Sequence, residues 1–315
     1  MIRVKTNKNI IFFFSVLAKL NPQRKYHPLG KTLLDNLEYE KLSTFDEFIK
    51  LYKNKQIPTY PYLFSIYAIN TERDLSPKSI KPKSGFGKKT LTNYTNKIEP
   101  IVKKIYISSN FEEIYEKQIQ KEYSALTNQI QKSFKGRVEE SIKKVWDIDK
   151  NYEFILIPNF LEIGHSFGIF RDSKLYSITA PIRKDGDISF LSQFIISNAI
   201  HEFSHSVFKK FLIENDLYQK HKVLTENIEI PKNLTKIHAN SAIYMEETLI
   251  KLMTLLIQQE LYKGFVSEKN QIFKAKKKIK KLEERGYEKA RELYPILQNS
   301  KDKKKSYLDY LSNNF

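Results

Sequence analysis

The stretch "FLSQFIISNAIHEFSHSVFKKF", residues 190–211, is almost continuously apolar, yet it carries His201, Glu202 and His205, with Asn198 one turn earlier. Its spacing predicts a helix over 190–214. Phe194, Asn198, His201, His205, Phe208 and Leu212 share one stripe, and Ile196, Ile200, Phe203, Val207 and Phe211 form a second. A helix that is apolar on several sides runs through the interior. Two imidazoles and a carboxylate are costly to bury there unless something binds them.

A zinc ion supplies the reason. Residues four apart on a helix project the same way, so His201 and His205 can aim ring nitrogens at one ion. Glu202 then stands beside the metal, placed to accept a proton from water. This is the H-E-x-x-H pattern of zinc metallopeptidases. A catalytic zinc also needs a third protein ligand and an open position. The downstream candidates are His221, His238, Glu246 and Glu247. The last two lie in "HANSAIYMEETLIKLMTLLIQQ" (residues 238–259), which predicts a second long apolar helix over 240–262. Periodicity favours Glu246, which shares the most apolar stripe with Ala242, Leu249, Ile250 and Met253. A site open to water and substrate favours Glu247, at the edge of that stripe.

The elements "HEFSHS" (residues 201–206) and "EETLIK" (residues 246–251) resemble a bacterial family of H-E-x-x-H zinc peptidases whose function is unassigned. Gly264, Phe265 and the later "YEKARELYPIL" (residues 287–297) are similar to that family's C-terminal portion, so the likeness spans about residues 152–298. The resemblance implies a gluzincin-like core of the thermolysin type acting on a peptide or protein substrate. It implies zinc held by His201, His205 and Glu247, with Glu202 as general base. Lys251 departs from the wider group, which often has an aspartate four residues after the ligand glutamate.

Around the motif the expected fold is α+β, mainly α-helical, with a small sheet and hairpin directly before the H-E-x-x-H helix. "YEFILIP" (residues 152–158) predicts a buried strand, and residues 166–181 predict a hairpin whose edge can receive an extended peptide. "RKDGD" (residues 183–187) reads as a loop, with Asp187 or Ser189 capping the motif helix. Helices are expected over 9–20, 30–54, 60–71, much of 90–147 and 270–298, and a mobile basic loop over 76–89. The chain thus divides into a helical N-terminal region, 1–150, and a metallopeptidase-like region with C-terminal helices, 151–315. His238 and Tyr244 are candidate donors to an oxyanion, and His165 lies at a strand entry near the expected cleft.

Bulk composition adds limits. There is no cysteine, which excludes a thiol nucleophile, disulfides and a cysteine zinc finger. The net charge of +18 permits binding to nucleic acid or an anionic surface, so a basic helical binding protein and an inactive peptidase scaffold are the alternative readings. The lysine run at 276–281 lacks the interleaved aromatics or glycines of a nucleic-acid arm, so no specific nucleic-acid partner is expected. "MIRVKTNKN" followed by "IIFFFSVLA" is similar to the first regions of a secretion signal, or else makes a packed first helix. The first reading implies secretion, and the second is compatible with a cytoplasmic location. No apolar run approaches the ~20 residues that span a bilayer.

Overall fold

A computed structural model describes residues 1–20, 24–57, 61–72, 74–76, 94–134, 136–148, 151–162, 164–171 and 173–315. Its organising element is the apolar run expected as a strand, β2 (Glu153–Pro158). β2 pairs in parallel with β1 (Arg3–Val4) on one side and with β4 (Lys174–Thr179) on the other. β3 (Phe167–Arg171) pairs antiparallel with β4 as the expected hairpin, giving the order β1-β2-β4-β3. Successive strand residues point to opposite faces. Phe154 and Leu156 therefore enter one core, while Ile155 and Ile157 enter another. A sheet that is apolar on both faces needs a cover on each.

The first cover is N-terminal. The helix Lys8–Lys19 begins at Asn7, whose side chain accepts from the Ile10 amide, and Ile10 through Phe14 are all essentially inaccessible to solvent. The apolar run that is similar to a secretion signal is thus a core helix of this structure. The second cover consists of the motif helix Ser192–Glu214, the glutamate helix Ser241–Leu261, the helix Arg137–Trp146 and the C-terminal helices. The molecule is mainly helical, with a small mixed sheet, as the sequence predicts. Among the described residues no helix is long and apolar enough to cross a membrane.

Several boundaries differ from expectation. The helix expected over 30–54 is two, Pro28–Asn36 and Ser43–Lys53, separated by a 3₁₀ turn at Tyr39–Lys41. The chain bends there to bury the Tyr39 ring, whose hydroxyl lies 2.7 Å from Ser15 Oγ. The helical stretch expected within 90–147 is interrupted at Asn110, which adopts a left-handed conformation, and again around Gly136. "RKDGD" is not a loop but the tip of a second hairpin, β5 (Ile182–Lys184) and β6 (Asp187–Ser189). Asp185 and Gly186 both have positive φ, as a two-residue hairpin turn requires. Asp187 and Ser189 are consequently strand residues. The motif helix starts after Leu191 without a side-chain cap.

The helix expected over 270–298 is Glu268–Glu284 and Ala290–Asn299, broken at Gly286 with φ of 97°. Two further helices, Tyr218–Thr225 and Lys303–Asn314, complete the second cover. Most of the basic loop expected at 76–89 lies outside the described residues.

Candidate metal centre

The motif helix crosses the sheet at unusually short range. A Cβ on Gly168 of β3 would stand 2.0 Å from the Glu202 carbonyl oxygen and 2.8 Å from His205 Cβ, so only glycine fits. The Ser206 hydroxyl donates across the same contact, within 3.1 Å of the Ile169, Tyr176 and Glu202 carbonyls. Farther along, the Trp146 indole N–H donates to Ser204 Oγ at 3.0 Å. The helix is thereby fixed from three sides, and His201 and His205 are left facing the glutamate helix.

There they meet Glu247. His201 Nε2 lies 3.4 Å from Glu247 Oε1, and His205 Nε2 lies 3.1 Å from Glu247 Oε2. One ligand atom from each of these three residues falls within 4.8 Å of the others. Ligand atoms around a tetrahedral zinc with bonds near 2.0–2.1 Å are about 3.3 Å apart. Two imidazoles and a carboxylate fit such an ion in number and chemistry. The side chains are partly exposed, at 22% for His201 and 16% for Glu247, which leaves an approach for water.

Glu246 faces the other edge of the same imidazole, with His205 Nδ1–H donating to its Oε1 at 2.7 Å. Burial alone would lower the His205 pKa. The hydrogen bonds to Glu246 and Glu247 outweigh it and raise the pKa from 6.5 to about 9. Burial likewise works to raise the pKa of Glu247, but the neighbouring His201 and His205 hold it well below the usual carboxylate range. Glu246 is lowered despite burial, by the Lys209 ammonium and by His205. Each glutamate also has a lysine: Lys209 Nζ lies 3.8 Å from Glu246 Oε1, and Lys251 Nζ lies 2.5 Å from Glu247 Oε1. The lysine that departs from the wider group's pattern thus sits on Glu247 Oε1. The carboxylate partner of His205 is the residue before Glu247.

Glu202 is buried at 7% exposure, and its charge acts on the neighbouring Lys209 ammonium. The other candidates are engaged elsewhere. His221 Nε2 pairs with the Tyr307 hydroxyl at 3.0 Å in the second core, and His165 Nδ1 with Glu162 at 3.1 Å. The Tyr244 hydroxyl donates to the Gly286 carbonyl at 3.0 Å. His238 Nε2 pairs with the Tyr287 hydroxyl at 3.0 Å, and the Lys251 ammonium sits 4.9 Å above the Tyr287 ring.

Tyr287 and Lys209 are neighbours of the site that sequence reasoning did not single out. Burial and then the charge of Glu247 push the Tyr287 pKa upward. The only signal for Tyr287 was its place at the start of "YEKARELYPIL".

Comparison with family models, with curated proteins and with solved structures returned no match in any of the three searches.

Proposed function

We propose that the protein is a zinc-dependent metallopeptidase with a gluzincin-like core. The observation that carries this reading is the convergence of His201, His205 and Glu247 from two helices, with Glu202 buried on the same motif helix. A zinc ion held by those three residues would supply a Lewis acid that polarises a carbonyl and lowers the pKa of water to about 7. Glu202 accepts the proton of the attacking water and returns it to the leaving amine. Glu246 holds the His205 ring by its Nδ1–H, which fixes Nε2 as the metal-facing nitrogen. The substrate is a peptide or protein segment. β3, at the end of the strand order next to the motif helix, is the strand along which an extended chain would run.

Metal analysis and one substitution test the proposal. Purified protein is expected to carry one zinc per chain, lost in His201→Ala and in His205→Ala. Glu202→Gln should keep zinc and the fold while hydrolysis of a mixed peptide library falls by at least ~10²-fold. Wild type that never binds zinc removes the centre, and full activity in Glu202→Gln removes the base. Nucleic-acid binding is expected to be weak and to fade at physiological salt. A sub-micromolar complex persisting there would favour the basic binding protein instead.

A further inference from the structure

Two turns past Glu247, the glutamate helix and the helix Glu268–Glu284 enclose a groove that plays no part in the metal site. Its cavity is about 500 Å³, within the ~300–1,000 Å³ of small-molecule sites. Leu255, Tyr262, Val266 and Ala275 supply apolar lining, and Lys274, Lys277, Lys278 and Lys281 supply the charged groups. No carboxylate lines it. Among the described residues, none of the four lysines forms an ion pair. Glu260, the acid nearest in sequence on the facing helix, is paired with Lys144 at 2.6 Å.

The polar lining is held in place. Gln258 accepts from Lys278 Nζ through Oε1 at 2.5 Å and donates through Nε2 to Ser197 Oγ at 3.0 Å. Gln259 accepts from the Tyr294 hydroxyl at 2.9 Å. Lys278 is therefore anchored where burial, and then the charge of Lys274, act against its ammonium. Four like charges around an apolar floor repel one another unless an anion sits between them.

We propose that this groove binds a single-chain anionic amphiphile, its carboxylate or phosphate among the four lysines and its aliphatic chain along Leu255, Tyr262, Val266 and Ala275. The charges call for an anion, and the floor calls for apolar surface that an inorganic ion cannot provide. A stacked nucleic-acid base would need a row of aromatic faces, and the groove offers only Tyr262.

The test is calorimetric titration of the full chain with dodecyl phosphate below its critical micelle concentration. Wild type should bind, and decyl and octyl phosphate should bind more weakly by roughly fourfold per methylene removed. The double variant Lys274→Gln/Lys278→Gln keeps side chains of similar length that can still hydrogen-bond. It should retain the wild-type melting temperature and lose at least tenfold in affinity. Absence of binding to wild type, equal binding by the double variant, or an affinity independent of chain length would each overturn the proposal. Equal affinity for inorganic phosphate would reduce the groove to a simple anion site. Binding to phosphatidylglycerol vesicles without binding to monomeric dodecyl phosphate would replace it with a membrane-facing surface. An acidic peptide binding more tightly than the amphiphile would assign the groove to a protein partner.

Discussion

Glu246 and Glu247 are neighbours in the chain but address opposite edges of one imidazole, and their replacements should differ accordingly. Glu247→Gln removes a charged group that faces both histidines. Glu246→Gln only weakens the grip on His205 Nδ1. Removing such an outer partner lowers metal affinity by about 10–100-fold. We expect Glu246→Gln to fall in that range and Glu247→Gln to lose considerably more, as measured by competition with a zinc chelator. Equal losses would mean that the two carboxylates share one role. The same imidazole sets a pH dependence. In the metal-free protein the His205 pKa is raised to about 9 from 6.5, so its charged form contributes stability that is complete below about pH 6.5. That contribution disappears as the pH rises through about 9. Zinc needs the unprotonated Nε2, so its binding strengthens over the same window. The gap in melting temperature between zinc-loaded and metal-free protein should therefore widen from pH 6.5 to pH 9. A constant or shrinking gap would show that His205 does not bridge the two glutamates.

Among the elements, the contact of β3 with the motif helix is the most exacting. A methyl group on Gly168 collides with backbone at Glu202, which cannot move without carrying His201 and His205 with it. Gly168→Ala should therefore cost ~3 kcal/mol or more, at the upper end for overpacking, and should weaken zinc binding in the same variant. Denaturant melts and a chelator titration measure the two together, and an unchanged zinc affinity would uncouple β3 from the site. This requirement was not legible in "SFGIF", because it arises from a helix more than thirty residues away. The motif itself was legible, since His201, Glu202 and His205 lie within five residues of one helix. The second hairpin was legible and passed over: Asp185-Gly186 is a turn signal, but its flanking strands are three residues each. Tyr39 broke a predicted helix for a tertiary reason, the burial of its ring beneath a helix that precedes it. The engagement of His221 by Tyr307 and of His238 by Tyr287 depends on partners 86 and 49 residues away, beyond the reach of periodicity.

At the scale of the molecule, the sheet belongs to both cores at once. The core beneath the motif helix takes seven buried apolar residues from before position 150: Ile2, Ile130, Phe134, Val138, Ile142, Val145 and Trp146. Conversely, Ile155, Ile157, Ile169 and Ile178 on the sheet's other face pack into the N-terminal core. Fully burying one large apolar side chain stabilises a fold by roughly 1.5–3 kcal/mol. Withdrawing seven forfeits on the order of 10–20 kcal/mol, as much as the ~5–15 kcal/mol net stability of a typical domain. The fragment 151–315 contains His201, Glu202, His205, Glu246 and Glu247. It would nevertheless lack β1, the helix Arg137–Trp146 and the cover over four isoleucines. We therefore expect it to show no cooperative thermal transition and to bind zinc far more weakly than the whole chain. Co-expression with residues 1–150 should restore both properties, because the missing contacts are non-covalent. A sharp melting transition and whole-chain zinc affinity in the isolated fragment would mean that residues 151–315 close their core without the N-terminal region.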